Sequence, residues 1–244
     1  MLITRDMILA IPELNESPLP GFFIAGHREY ILSHVQQPLT PEEFGAIPLY
    51  GGYDIYPAII LLWFLYYANE PKILRNFACD CAERVLKRSC YTSGIDPIFI
   101  LALEAARAYA NDEMSSDELA QFKWPVRDNA LRVVGGSAIW SACYKDDLSA
   151  ALATSRSSVG GMILLAAIEN PIKDLPVQVT ETGQVWSIDT EFPGIQDIRN
   201  NTIEEEYRWQ ALQIGFCWDQ LHVPSPTMWR QECEEVLYSE GWEK

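Results

Sequence analysis

Apolar residues recur at steps of three and four along most of the chain, and this period predicts amphipathic helices. The clearest stripe comprises Ile203, Tyr207, Ala211, Ile214, Trp218 and Leu221. Two earlier stripes comprise Leu74, Phe77, Ala78, Cys81 and Val85, then Phe99, Ala102, Leu103, Ala106 and Ala110. Because helices that each bury one apolar face must pack on one another, the pattern predicts an all-α fold, mainly a helical bundle.

Helix start signals agree with these stripes. Residues 40–43 (TPEE) combine a capping hydroxyl, a proline at the first position and acidic side chains in the first turn. Residues 96–97 (DP) and 115–118 (SSDE) predict the next two starts. Thr202, followed by three glutamates at 204–206, predicts the start of the helix that holds the clearest stripe.

Small residues dominate the middle of the chain, at residues 129–144 and 148–168. The pairs Gly135-Gly136 and Gly160-Gly161 lower helix propensity but allow neighbouring backbones to approach closely. We expect an antiparallel helix pair that packs through these small residues. Pro125 is expected to interrupt or restart the helix before the pair.

Two segments depart from the amphipathic pattern. Residues 56–68 form an apolar run of 13 residues, shorter than the roughly 20 that a membrane span needs, so a buried core helix is expected. Residues 177–188 carry β-branched and aromatic residues around a Thr-Gly turn signal, which predicts a small hairpin or flap.

Charge divides the chain, which is expected to form a single domain over residues 1–244, into three parts. The formal net charge is −16, but residues 72–156 carry 11 basic and 11 acidic side chains. Residues 1–71 carry 2 against 8, and residues 157–244 carry 5 against 15. We therefore expect a loop-rich N-terminal segment (1–71), a neutral helical core (72–168) and an acidic flap with C-terminal helices (169–244).

Composition narrows the class of function. An excess of acid opposes direct nucleic-acid binding, which needs clustered cations, and suits a basic protein partner. The chain begins without the apolar stretch of a secretion signal, and six cysteines in 244 residues are too sparse for a disulfide scaffold. The expectation is a cytoplasmic protein with reduced thiols and no membrane partner.

Catalytic and metal motifs do not match the chain well. His27-Arg28-Glu29 with Cys79-Asp80-Cys81 resembles part of the zinc-deaminase pattern. Two cysteines separated by one residue on a helix point about 200° apart, however, so core thiols are the better interpretation. Gly135-Gly136-Ser137 lacks a nucleophile elbow, and no phosphate-binding glycine loop occurs. The prediction is a non-enzymatic protein without a metal or cofactor.

Acidic and aromatic residues near the end of the chain are the predicted partner contacts. Acids in the first turn of a helix complement its dipole, which explains most acidic pairs without function. Glu232, Glu234 and Glu235 instead lie in the middle of a predicted last helix, where this benefit is absent. The set chosen as partner contacts adds three residues on the flap, namely Trp186, Asp189 and Glu191.

The chain resembles a known family over roughly residues 72–221. The resembling motifs are residues 78–86 (ACDCAERVL), Pro97, residues 105–110 (AARAYA), the acidic start at 115–119 and residues 208–210 (RWQ). They are similar to the all-helical immunity proteins of bacterial polymorphic-toxin systems and related phage proteins. The resemblance implies a helical fold and toxin neutralisation, and it implies no catalytic residues.

Three functional hypotheses follow. The leading one is a non-enzymatic protein that binds and neutralises a basic partner, such as a toxin nuclease or a nucleic-acid-binding defence effector, through acidic surfaces. The alternative is a phage structural or accessory module that forms homo-oligomers through helix packing. The third is an enzyme with an unrecognised pocket around His27, Glu29 and His34.

Overall fold

The computed structural model describes residues 1–11, 27–48, 57–90, 96–130, 133–170, 177–179, 185–188 and 195–222. In chain order the helices are α1 (Arg5–Leu9), α2 (His27–His34), α3 (Pro41–Gly45), α4 (Pro57–Tyr67), α5 (Pro71–Cys90), α6 (Pro97–Ala110), α7 (Ser116–Ala130), α8 (Gly136–Ala142), α9 (Asp147–Glu169) and α10 (Gln196–His222). Two short strands, β1 (Val177–Val179) and β2 (Val185–Ile188), lie between α9 and α10. The predicted all-α fold is confirmed.

Capping residues lie at the helix starts that the sequence predicts for α3, α6 and α7. Thr40 and Glu43 form a capping box at the start of α3, and Asp96 caps α6 by accepting from the Ile98 amide at 3.0 Å. Ser115 and Glu118 exchange hydrogen bonds before the first turn of α7. These local hydrogen bonds satisfy backbone donors that the first turn of a helix leaves open.

Three helix boundaries differ from the prediction. α10 begins at Gln196 instead of near Thr202, so Glu204 to Glu206 lie inside the helix and not in its first turn. α7 continues through Pro125, which has no backbone N–H and so removes one hydrogen bond from the helix. Because Pro125 is exposed, the carbonyl left without that donor can bond to water instead of being buried unpaired. α8 is shorter than the predicted stretch 129–144, because α7 extends to Ala130.

The core is organised around α5 and α9. α9 packs against α4, α5, α8 and α10, and most of its side chains are buried. α4 is buried on nearly all sides in the same cluster, as predicted for residues 56–68. α5 separates this cluster from a second one that it shares with α6, α7 and α8. These two clusters therefore lie on opposite faces of α5, and a third, smaller cluster surrounds Val85 of the same helix.

Close backbone approach requires glycine at two positions beside Val85 of α5. Gly135 precedes α8 with φ +85°, and a Cβ there would lie 2.6 Å from Val85 Cγ1. A Cβ at Gly161 of α9 would lie 2.7 Å from the same atom, whereas one at Gly160 would meet nothing within 4 Å. α8 and α9 pack together as predicted, and two of the four small residues fit against α5.

The strands form the predicted small hairpin. β1 and β2 are antiparallel, with Val177 opposite Ile188 and Gln178 opposite Ser187. β2 also contacts α9. A separate antiparallel bridge joins Ile3 to Leu39 and so holds the start of the chain to the segment before α3.

One helix in the described part is long and apolar enough to cross a membrane by length and composition. This helix is α9, and 72% of its most apolar window is buried within the fold. A core helix of a water-soluble protein passes the same test, so the finding is weak support for a membrane span.

Candidate functional site

The partner contacts chosen from sequence fall largely outside the described part of the chain. Asp189 and Glu191 lie beyond β2, and Glu232, Glu234 and Glu235 lie beyond α10, all outside the described residues. Trp186 belongs to β2, and its side chain is likewise outside the description. These six contacts, and the predicted last helix, remain predictions.

The two acidic flanks of the chain meet where α10 packs on α3. A Cβ at Gly215 would lie 2.4 Å from Pro41 Cγ, and one at Gly45 would lie 2.8 Å from the Ala211 Cβ. Such close approach fixes α3 against α10. As a result, exposed carboxylates of the two flanks lie on adjoining helices, namely Glu42 and Glu43 on α3 and Glu204, Glu205 and Asp219 on α10.

A cleft of about 350 Å³ opens between α5, α9 and α10. It is lined by Arg84, Arg88, Met162, Ala166, Asn170, Ile198, Asn201, Thr202, Glu205 and Glu206. The cleft therefore combines guanidinium groups, carboxylates, amides and an apolar patch. It is a half-open concave site of mixed polarity, and ligands tend to bind in concave sites.

Glu206 is the buried acid of this cleft. Its side chain is 1% exposed, and its Oε2 accepts a hydrogen bond from Arg84 Nε at 3.0 Å. Its other oxygen, Oε1, is buried without a hydrogen bond. Burial raises the pKa of the Glu206 carboxyl above its ordinary value, and the charge of Arg84 only partly opposes the shift.

The two arginines of the cleft already have partners. The Arg84 guanidinium lies over the Trp209 ring, 4.3 Å from its centroid, in addition to its bond to Glu206. Arg88 contacts Glu169 through two nitrogens, at 3.2 and 2.5 Å. This fork lowers the pKa of Glu169. Three carboxylates, those of Glu169, Glu205 and Glu206, thus face two guanidinium groups.

A buried hydrogen-bond network next to Glu206 joins α10 to α9. Gln210, one turn after Glu206, donates from Nε2 to the Ser155 carbonyl at 3.1 Å and to Ser158 Oγ at 3.0 Å. Its Oε1 accepts from Ser155 Oγ at 2.6 Å. These bonds hold the Gln210 side chain beside Glu206, where it lowers the pKa of the Glu206 carboxyl and so opposes the effect of burial.

A second polar cluster joins α5, α6 and α10 around Asp80. Asp80 accepts from Arg107 at 2.7 Å and from Gln213 at 2.7 Å. The Cys217 thiol donates to the same carboxylate at 3.4 Å. Arg107 also binds Glu83. Burial and the Asp80 charge raise the pKa of Cys217 well above its ordinary value, so this thiol stays protonated and structural.

The cysteines beside Asp80 point into different parts of the core. Cys79 belongs to the cluster with α6 and α8, and Cys81 belongs to the cluster with α4 and α9. Burial raises the pKa of Cys79 to about 12. Among the described residues, no three His, Cys, Asp or Glu side chains converge as metal ligands. The four described cysteines are free and buried, as the sequence interpretation expected for them.

The histidine pocket of the third hypothesis involves α2. Glu29 and His34 are exposed on this helix. His34 Nδ1 lies 2.9 Å from the Tyr30 carbonyl of its own helix, and its ring packs on the Tyr30 ring. The side chain of His27 lies outside the description. His34 therefore bonds within its own helix, and neither Glu29 nor His34 lines the cleft.

The sequence pattern does not predict a role for Glu206, because residues 204–206 follow a capping threonine and resemble the acidic first turn of a helix. A signal was present: Glu206 and Gln210 recur in step with Ile203, Tyr207 and Ala211, on the face that the stripe predicts to be buried. Ile195 and Ile198 also extend the apolar pattern before Thr202. An acid in phase with an apolar stripe indicates a buried charged group, which is expected to have a partner.

The chain has no match to a protein-family model, to a curated protein or to a solved structure. The resemblance to the all-helical immunity proteins therefore remains a prediction.

Proposed function

We propose that this chain is a non-enzymatic binding protein that neutralises a basic protein partner, with acidic surfaces that substitute for phosphates. A toxin nuclease or a nucleic-acid-binding defence effector would be such a partner. The observation that carries the proposal is the packing of α10 on α3, which brings carboxylates of both acidic flanks onto adjoining helices. Exposed carboxylates on adjoining helices attract a basic partner over a distance of about a Debye length.

The chemistry of the cleft also supports binding over catalysis. Proton-transfer catalysis needs a base or acid together with a second group that reacts or positions. Glu206 could serve as such an acid, but its carboxyl is buried and bonded to Arg84, and the described residues that line the cleft include no histidine, cysteine, serine or lysine.

Capture from the source cells tests this proposal. The full tagged chain is expressed at native level, cross-linked briefly and purified at about 50 mM and about 500 mM salt, which spans a large change in screening length. We expect a basic protein at low salt and much less of it at high salt. Combined substitution of Glu232, Glu234 and Glu235 by Gln should lower its recovery further.

Two results would contradict the proposal. One is a partner that is acidic, or that is recovered equally at both salt concentrations. The other is a large, salt-insensitive homo-oligomer as the main captured species, which would favour the self-assembling phage module instead.

A further inference from the structure

One face of α10 exposes apolar side chains between two acidic ones. Leu212 and Phe216, one turn apart, are 41% and 40% exposed. Glu205 and Asp219, both exposed, lie two turns before and two turns after Leu212, so the four side chains form one stripe along the helix. At about 1.5 Å per residue, the two acids are about 21 Å apart along the axis. α10 therefore presents to solvent an apolar surface with an acid at each end.

The start of the chain adds apolar surface near the end of this stripe. Met1 N lies 2.7 Å from Asp219 Oδ1, and Ile3 pairs with Leu39 in the bridge before α3. Leu2, held between these two contacts, is 58% exposed. Of the large apolar side chains that are exposed in the described ranges, those in this region form what we call the α10 patch: Leu2, Leu212 and Phe216. Exposed apolar groups that gather in one region, unlike single ones, mark interaction surfaces.

The carboxylates around the α10 patch outnumber the cations. The exposed acids of α3 and of the nearby turns of α10 are Glu42, Glu43, Glu204, Glu205 and Asp219. Between Glu204 and Asp219 the cation of α10 is Arg208, and the amino group of Met1 pairs with Asp219. The Asp219 side chain is 62% exposed in spite of this pair. The patch thus has an apolar centre and a rim of net negative charge, which complements an apolar surface with a basic rim.

This charge favours a basic occupant over the other two that could cover the patch. A second copy would bring the same acidic rim and a formal charge of −16, which oppose association. Residues 223–244 carry 5 acidic against 2 basic side chains, so their net charge has the same sign as the rim. A basic helix of about four turns matches the spacing between Glu205 and Asp219, and amphipathic helices commonly dock through an apolar face.

We propose that the α10 patch receives an amphipathic helix of the basic partner. Its apolar side chains contact Leu212 and Phe216, and its lysines or arginines contact Glu205 and Asp219. This inference rests on the proposed function, because it assigns to that partner the element that docks. An apolar centre within a polar rim is the usual arrangement of a protein interface, in which the rim charges steer the encounter.

Titration with a synthetic peptide tests the patch without the partner. The probe is an alanine-based helical peptide of about 20 residues, with a pair of leucines one turn apart at its centre and a pair of lysines in each terminal turn. It is added to the full chain and followed by calorimetry and by chemical shifts of the α10 amides. One control peptide has alanines in place of the leucines, and the other has glutamates in place of the lysines. We expect the probe to shift amides around residues 205–219, and each control to bind at least about tenfold more weakly.

Two double variants give a matched comparison. Leu212→Gln with Phe216→Gln removes the apolar centre without changing a charge, so it should weaken the probe by about tenfold to a hundredfold. Leu101→Gln with Trp124→Gln is the control, because these side chains are 50% and 58% exposed on α6 and α7 in the neutral centre of the chain. All four positions are exposed, so both variants should remain folded, which thermal unfolding verifies.

The outcomes separate this inference from the proposed function. Equal binding of the three peptides, no binding of the probe, or unchanged binding to the folded Leu212→Gln, Phe216→Gln variant would overturn the assignment of the patch. Sedimentation that shows a dimer of the chain, lost in the same variant, would assign the patch to a second copy and also overturn it.

A captured basic partner that binds this variant as tightly as the wild type would overturn the assignment, while the proposed function would stand. Selective binding of the probe together with failure to capture a basic partner would retain the patch as a docking surface for a basic helix and reject the proposed function.

Discussion

At the scale of the residue, the buried charged side chain of Arg75 links neighbouring helices through hydrogen bonds. Arg75 of α5 is 3% exposed, and its guanidinium donates to the backbone carbonyls of Tyr144 and Lys145 and to the carboxylate of Asp147. It also lies over the Tyr109 ring of α6. A single side chain thus donates hydrogen bonds to two backbone carbonyls between α8 and α9 and holds that segment against α5.

We expect Arg75→Met to destabilise the fold by about 3–5 kcal/mol, because it leaves two carbonyls and a carboxylate without their donor. The measurement is urea unfolding at neutral pH. Lys72→Met is the control from the same helix, since Lys72 makes an exposed ion pair with Asp112 and should change stability by less than about 1 kcal/mol. Similar losses for both variants would contradict the role given to Arg75.

Glu206 gives a pH-dependent contribution to stability. Its pKa is raised above 4.5 in the folded state, so the folded chain keeps this proton to higher pH than the unfolded chain. The stability it contributes is complete below about pH 4.5 and is lost as the pH rises through the folded pKa. Glu206→Gln removes this titration.

The free energy of unfolding of the wild type relative to Glu206→Gln should therefore fall as the pH rises from about 4 to about 8. Denaturant titrations at several pH values measure this difference. Glu169→Gln serves as the control, because Arg88 lowers the pKa of Glu169 and its titration lies below 4.5. A difference that stays constant or rises for Glu206→Gln would contradict a raised pKa of this carboxyl in the folded state.

At the scale of elements, the helix stripes and caps were predictable from the sequence because both depend on neighbours within a few residues. The stripe from Ile203 to Leu221 and the caps at Thr40 and Asp96 depend on such local spacing. The cleft depends instead on pairs far apart in the chain. Arg84 and Glu206 are separated by 122 residues, and no local pattern indicates that they meet.

The predicted packing of helices through small residues can be tested at two glycines of α9. We expect Gly161→Ala to destabilise the fold by about 1–3 kcal/mol, because the new methyl group would meet Val85 Cγ1 at 2.7 Å. Gly160→Ala should stabilise it by about 0.5–1 kcal/mol, since the added Cβ meets no atom within 4 Å and alanine favours helix. Thermal unfolding of both variants checks the pair, and the same sign for both would contradict the packing described.

At the scale of the whole molecule, the net charge of −16 comes from two acidic flanks that lie together in the fold. The neutral segment 72–156 supplies α5 to α8 and the start of α9, while the acidic flanks supply α3 and α10. The sequence could divide the charge along the chain but could not show that the flanks meet. The close contacts of Gly45 and Gly215 across the two helices bring them together.

The central claim is that the acidic flanks bind the partner. Its most direct test is the affinity of the captured partner for two variants that each remove three negative charges. One carries Glu42→Gln, Glu204→Gln and Glu205→Gln on the flanks, and the other carries Glu104→Gln, Glu113→Gln and Asp128→Asn on the neutral centre, all six being exposed. We predict that the flank variant weakens binding by about tenfold or more at low salt and lowers its salt dependence, and that the centre variant leaves both nearly unchanged. Equal effects of the two variants, or none from either, would contradict binding through the acidic flanks.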